Sequence, residues 1–569
     1  MYKIKLKCVI AVILTGCLLL AQSFGMVHAT EKTQGDNNGI PNNIVSSYRE
    51  MEPIDSSFAG ITSKYDRVKS VNLPTSYSSS KDAPMEVEKR ENVVTSVKSQ
   101  NPYGTCWAHS AISLAESSYI INEGVSPDSV DYNEYHLVHY GYGKAADSLD
   151  LFGGDYNTAG NIGNILNAGG NNIISLCMFA SWQGVSDALE SEFGAENIEN
   201  GELPEAILGY EDAAHMENGY VLTMPDMTSS DYKADMDIVK QMIMDYGSVS
   251  ISYYSNHDPE HFRGCFQYYD QEHVEDHAVT IVGWNDTVSK SSFAIEPPGD
   301  GAWIVKNSWS KDWGYEGYFY LSYYDVTIGE NAFAFDFVSG DNYDNNYQYD
   351  GGGSIYGTAG GYFGQVAAAN TFVADSNETL EAVGFYTNQI NTDYEIRIYR
   401  ELDTYANPNT GTLVLTQTGT QTYVGYHTVK LDAKIPITEG ERYAVVVTFI
   451  GDENEYLSFP VDETDDFGWV YFFSLAKAYE SYVGTSVAAL NDLNPNNIDD
   501  YYRGKNARIK AFTNEAEEND VTKVTEVQLD ITTCNIDKGE TLKLTATVLP
   551  AIYPMRSLFG HLMMKVLQQ

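Results

Sequence analysis

Ser99-Gln100-Asn101-Pro102-Tyr103-Gly104-Thr105-Cys106-Trp107-Ala108-His109-Ser110-Ala111 is the stretch on which the fold turns. Residues 101–104 have the composition of a loop, and an apolar-periodic helix starts near Cys106 and runs to about Ile121. A cysteine at the start of a helix gains from the helix dipole, which lowers the thiol pKa and favours the thiolate. Gln100 lies six residues upstream on the approach loop. From there its amide can donate to an oxyanion alongside the backbone N–H of Cys106. Such a cysteine is a nucleophile candidate once a His and an Asn or Asp occur elsewhere in the chain.

Both occur. Glu275-Asp276-His277-Ala278-Val279-Thr280-Ile281-Val282-Gly283-Trp284 puts a histidine at the opening of a buried strand, where a general base is held rigidly. Gly301-Ala302-Trp303-Ile304-Val305-Lys306-Asn307-Ser308-Trp309-Ser310 continues into Trp313-Gly314-Tyr315-Glu316-Gly317-Tyr318. Asn307 can accept a hydrogen bond from His277 and fix its tautomer, and Trp309 can shield that bond from water.

These three blocks resemble the Cys, His and Asn regions of the papain (C1) family of cysteine peptidases. The resemblance covers roughly residues 73–340 and implies Gln100 in the oxyanion hole, Cys106 as nucleophile, His277 as base and acid, and Asn307 as its orienter. Gly169-Gly170-Asn171 matches the family's glycine stretch along the non-primed cleft, where glycines let a substrate backbone approach closely; a tight turn is an equal alternative. Tyr103 stands where the family often has a disulfide-bonded cysteine, and His109 replaces a usual aromatic. The Cys106-to-His277 gap is 171 residues, against roughly 130–150 in the family. The His277-to-Asn307 gap is 30, with residues 289–301 as an inserted loop. These departures fit bacterial secreted members. Family chemistry implies protein or peptide substrates, no cofactor and no metal.

The fold class expected is α+β: a two-lobed papain-like domain at 73–340, an all-β sandwich at 341–515, and a truncated immunoglobulin-like segment at 516–569. Residues 341–353, rich in Asp, Asn, Tyr and Gly, read as a linker. Short alternating segments follow at 381–386, 394–399, 412–418, 425–431, 443–449 and 507–512, separated by turn residues. This region resembles the lectin-like domain that follows the peptidase in some bacterial members, which implies binding of cell-wall or surface glycans. Residues 524–529 and 539–548 resemble the opening strands of a bacterial immunoglobulin-like repeat. Residues 551–569 carry no strand alternation. Re-reading residues 559–569 in another frame permits a peptide like the next motif of that repeat, so a frameshift near Pro550 is expected.

Residues 1–29 read as a signal peptide, with Lys3, Lys5 and Lys7, an apolar run over 9–21, and a small-residue site ending at Ala29. A lipoprotein-like box ends at Cys17, but the apolar run continues past it, so simple export is expected. Residues 30–72 read as a linker or short pro-segment without the family's helical pro-region motif. The formal charge of −45 argues against nucleic acid, which calls for Lys and Arg patches, and fits a solvated extracellular surface. Of six cysteines, four remain after the signal, too few for a disulfide framework in a chain of 569 residues. Cys177 and Cys265 read as inert thiols, with a bridge between them open. His136 and His139 near Glu134 read as a solvated helix face, and residues 462–466 as surface. The location expected is secreted or attached to a bacterial cell surface. Two other functions compete with hydrolysis: an adhesin built on a peptidase scaffold, and a cysteine transpeptidase.

Overall fold

A computed structural model describes residues 73–143, 155–160, 164–201, 213–230, 232–355, 357–404, 407–494 and 504–516, with the backbone of Glu526–Leu529 and Ala546–Leu549. The signal-peptide and pro-segment readings lie outside the described residues, as does most of the immunoglobulin-like one. Within that last segment, Glu526–Leu529 pairs antiparallel with Ala546–Leu549.

The four longest helices among the described residues lie in the first half. Helix α1 (Cys106–Glu123) is buried on most of its circumference. Its small residues make that possible: Ala108, Ala111 and Ala115 let strands approach, and its serines find partners. Ser117 Oγ lies 2.6 Å from Ser248 Oγ, and Ser118 donates to the Leu114 carbonyl at 3.1 Å. Gly124, in the left-handed region at φ 64°, ends the helix. Helices α2 (Glu134–Gly141) and α3 (Asn172–Ala180) are capped by Asn133 and Asn171, whose side-chain oxygens accept the first free N–H groups. Helix α4 is Tyr232–Tyr246.

Strands β1 (Ala214–Thr223), β2 (Val249–Tyr253), β3 (His277–Asn285), β4 (Ala302–Lys306), β5 (Tyr318–Ser322) and β6 (Asn331–Ser339) form an antiparallel sheet in the order β1-β6-β2-β3-β4-β5. β3 and β4 are buried along almost their whole length, which is why they read as continuous apolar runs rather than alternating ones.

The second half is a β-sandwich. It contains β7 (Gln365–Val373), β8 (Glu378–Thr387), β9 (Thr392–Arg400), β10 (Thr412–Gln421), β11 (Val424–Ile437), β12 (Arg442–Ile450), β13 (Ser481–Gly484) and β14 (Ile509–Glu515). One sheet runs β10-β9-β12-β7-β13; the other holds Asn345–Tyr347, β14, β8 and β11. Period-two alternation builds the core. Along β12, Tyr443, Val445, Val447 and Phe449 enter the cluster between the sheets, while Ala444 and Val446 enter a second cluster on the other face.

The sandwich and the first half share a sheet. β11 pairs with β1 from Val424↔Val221 to His427↔Asn218, making one continuous sheet of 14 strands. The linker reading of residues 341–353 is therefore corrected. Asn345–Tyr347 is a strand paired with β14, and residues 345–354 are buried. Side chains from this segment finish helix α3: Asn346 donates to the Ala180 carbonyl at 3.4 Å, and Gln348 to that of Ser181 at 3.2 Å. They satisfy carbonyls that a helix end leaves without partners.

Beside that helix end lies a buried ionic cluster. Arg508, fully buried, meets Asp350 at 3.2 Å and Asp462 at 3.1 Å, and Lys510 meets Asp350 at 2.9 Å. Asp155 accepts N–H groups from Gly351 at 3.1 Å and Leu475 at 2.7 Å. Asp462 is thus interior, not the surface residue its acidic run suggested, because Arg508 compensates it. The solvated-face reading of helix α2 is corrected in the same way. Glu134 and His136 are buried, and Lys98 pairs with Glu134 at 3.1 Å and Glu116 at 2.9 Å. Cys177 and Cys265 are free thiols, not a bridge.

Candidate active site

Cys106 is the first residue of α1, and the first turn of that helix carries no carboxylate. The partial positive charge of the helix start therefore falls on the thiol undiminished. One turn on, Ser110 pins the helix to β3: its hydroxyl donates to the Val279 carbonyl at 3.0 Å and lies 3.1 Å from Thr280 Oγ1. Stepping back one turn on the helix reaches Cys106, and two residues back on the strand reaches His277. Cys106 and Ala278 belong to one packed cluster.

His277 is buried and opens β3, paired with Tyr253 of β2. Its Nε2–H donates to Asn307 Oδ1 at 2.8 Å, and that oxygen also accepts the Ser308 N–H at 2.8 Å. The second bond fixes which face of the amide meets the imidazole, and so which nitrogen holds the proton. Nδ1 is left as the basic nitrogen. Burial pushes the imidazole down to about 4, while the Asn307 bond acts upward and nearby His109 downward. The Trp309 ring, also buried, stacks on His277 with centroids 4.6 Å apart and planes 20° apart.

Gln100 is clipped to the same segment. Its N–H donates to the Ser308 carbonyl at 2.9 Å, Ser308 Oγ donates to its Oε1 at 2.6 Å, and its Nε2 donates to the Tyr103 carbonyl at 2.9 Å. An amide nitrogen has two hydrogens, so the second is available for a developing oxyanion. Ser308 joins Gln100 to Asn307 in this network, a link the sequence reading did not assign. The signal was its place beside Asn307; what it does depends on a loop 208 positions earlier in the chain. Behind the site, Lys306 is buried and donates to Ser113 at 3.1 Å and Thr95 at 3.3 Å, tying β4 to α1. Burial pushes its pKa down to about 8.

Gly169 and Gly170 lie beside this constellation. A Cβ at Gly170 would stand 2.5 Å from the ring of Trp107, the neighbour of Cys106. The Tyr142 hydroxyl donates to the Gly169 carbonyl. Gly170 therefore packs closely on Trp107. The other two described thiols have less reactive surroundings: burial pushes Cys177 up to about 11 and raises Cys265.

Residues 83–147 and 178–334 match the family described as papain family cysteine protease, and residues 346–513 match the lectin like domain family. The chain carries a papain-family peptidase domain and a lectin-like domain. The papain-family domain is 28% identical to a cysteine proteinase of Trypanosoma brucei brucei over 253 residues, 44% of this chain and 45% of that one. It is 24% identical to cathepsin O of Homo sapiens over 44% of this chain and 63% of that one. The match thus spans about half to two thirds of these relatives. Among solved structures, the cysteine protease and lectin-like domains of Cwp84, a surface layer associated protein of Clostridium difficile, superpose with a TM-score of 0.58 at 23% identity. That match covers 74% of this chain and 87% of the other. The form of Cwp84 after propeptide cleavage gives 0.59 at 23% identity, over 74% and 97%. Both share the papain-like fold followed by a large β-region.

Losing one oxyanion donor costs about 100- to 1,000-fold in kcat. Gln100→Ala is expected to show a loss of that size, with KM for a peptide substrate little changed. Steady-state kinetics on a fluorogenic peptide checks it.

Proposed function

We propose that this protein is a secreted, surface-associated cysteine endopeptidase that works through a thioester. The observation that carries the reading is the Gln100–Ser308–Asn307–His277 chain of hydrogen bonds closing around the start of α1. His277 Nδ1 takes the proton of Cys106, giving a thiolate and an imidazolium. The thiolate attacks the scissile carbonyl. The Cys106 N–H and the second Nε2–H of Gln100 meet the oxyanion, and His277 Nδ1–H protonates the leaving amine. The thioester is then opened by water that His277 deprotonates, restoring the thiol. Asn307 keeps the ring in one tautomer through both steps, and Trp309 keeps water from their bond. Gly169 and Gly170 would flank the substrate on the non-primed side.

Export is supported by the basic start and apolar run of residues 1–29. A surface location is supported by the lectin-like domain, for which we propose cell-wall or surface carbohydrate as partner. The test is product analysis. Incubation with an unfolded polypeptide, followed by mass spectrometry, is expected to give internal fragments with free carboxylates. Acyl transfer to an added amine outpacing hydrolysis would make the enzyme a transpeptidase instead, and no cleavage would favour an adhesin.

A further inference from the structure

The sheet β10-β9-β12-β7-β13 ends differently at its two sides. Beyond β13 its last strand is Asn491–Asp492, two residues long and carrying a carboxylate. Short and charged edges discourage a further strand from adding. The other side ends in β10, ten residues long and exposed or half-exposed throughout. Among the described residues β10 pairs with β9 alone. From Thr410 to Tyr423 the sequence holds no charged residue and no proline, in a chain of formal charge −45.

The ladder to β9 fixes which backbone groups face outward. The Asn391 N–H donates to the Thr422 carbonyl at 3.1 Å, and the same register runs from Thr392↔Gln421 to Ile398↔Leu415. Hydrogen-bonded pairs alternate along an antiparallel ladder. Thr416, Thr418 and Thr420 therefore direct their N–H and C=O groups at β9. Leu415, Gln417, Gly419 and Gln421 turn theirs to the open side. Gly419, which has only backbone to show, is partly exposed. Side chains alternate as well. The three threonines stand on the exposed face, while Gln417 reaches β11, donating to the Lys430 carbonyl at 3.0 Å and accepting the Asp432 N–H at 2.8 Å.

We propose that a second copy of this chain pairs antiparallel with β10 about a two-fold axis at Thr418, joining two sandwich sheets into one. An open row of N–H and C=O groups is matched by another extended backbone. A copy brings the same strong negative charge, so it can approach closely only where no like charges meet; the uncharged run 410–423 meets that condition against itself. About Thr418 the facing residues are Thr418 with Thr418, Thr416 with Thr420, Gln417 with Gly419, and Leu415 with Gln421. The last two pairs exchange the outward hydrogen bonds, so the axis agrees with the alternation set by β9. The first two put threonine against threonine on the exposed face, a pairing that stabilises a sheet.

A strand pair of this length is a small interface. Association is therefore expected to be reversible, to rise with protein concentration, and to strengthen with added salt, which screens the repulsion between acidic chains. Sedimentation velocity of the full chain is expected to show a species of twice the monomer mass. Thr418→Lys and Thr418→Glu each set two like charges face to face, and each is expected to weaken association about fivefold or more. An equimolar mixture of the two sets opposite charges face to face and is expected to restore it. Thr418 is exposed and lies opposite Glu395 on β9, so Thr418→Lys is expected to fold and to cleave a soluble peptide as the wild type does. Weakening without rescue in the mixture would overturn the two-fold register. Association unchanged in both variants would overturn the interface. A wild type that stays monomeric at its highest soluble concentration, with and without salt, would overturn pairing between copies and leave the edge to a strand of another protein.

Discussion

Cys106→Ala is expected to leave a folded protein with essentially no peptidase activity. Groups that act as one catalytic unit fail together, and removing the nucleophile costs about ten-thousand-fold in kcat or more. Nothing else described can take over the attack. Cys177 is fully buried with its pKa raised to about 11, and burial also raises that of Cys265. Neither opens a helix beside a histidine. The substitution deletes one sulfur beside Trp107 and Ala108, so the fold survives and the kinetics can be read cleanly. A fluorogenic peptide assay on matched preparations, with circular dichroism as control, gives the answer.

Arg508→Ala is expected to be the most damaging stability change outside the site. Removing one partner of a buried ion pair costs about 3–5 kcal/mol, because the remaining charges stay buried without compensation. Here the remaining charges are Asp350 and Asp462, with Asp155 close by and Lys510 the one cation left in the cluster. Arg508 also donates to the carbonyls of Gly352 at 3.2 Å and of Ser354, and those acceptors would lose their donor. The pH dependence is a second signature. Burial already pushes Asp462 up to about 6 despite Arg508. A carboxyl raised in the folded state contributes stability that is present at low pH and lost as pH rises through its folded pKa. Without Arg508 that pKa climbs further, so the deficit of the variant should be larger at pH 8 than at pH 5. Because β11 and β1 share a sheet, peptidase activity and sandwich structure should be lost in one transition. Thermal unfolding followed by fluorescence and residual activity at both pH values checks this.

The candidate site could be proposed from the sequence because its parts are local. A cysteine opening a helix, a histidine opening a buried strand and an asparagine ending another each carry their context within a few residues. The strands 278–284, 302–306 and 318–323 read from apolar runs correspond to β3, β4 and β5 within a residue or two. What escaped depends on distant pairing. β7 carries Ala367, Ala368 and Ala369 with Asn370, a run with no alternation to read, yet it sits between β12 and β13. The burial of Asn345, Asn346, Gln348 and Asp350 follows from the end of α3 and from Arg508, neither visible from a polar sequence. Asp462 and Glu134 misled in the same way: a carboxylate reads as surface until its cation, 46 or 36 positions away, is known. Polar residues report their own solvation, whereas their partners are set by topology.

The most direct test of the central claim is covalent labelling of the wild-type enzyme with an epoxide inhibitor of thiol peptidases, followed by peptide mapping. The account predicts complete inactivation with one label, on the peptide containing Cys106, and no labelling of the Cys106→Ala variant. Inactivation with the label on Cys177, Cys265 or Cys534 would contradict it, as would peptide hydrolysis by Cys106→Ala at the wild-type rate.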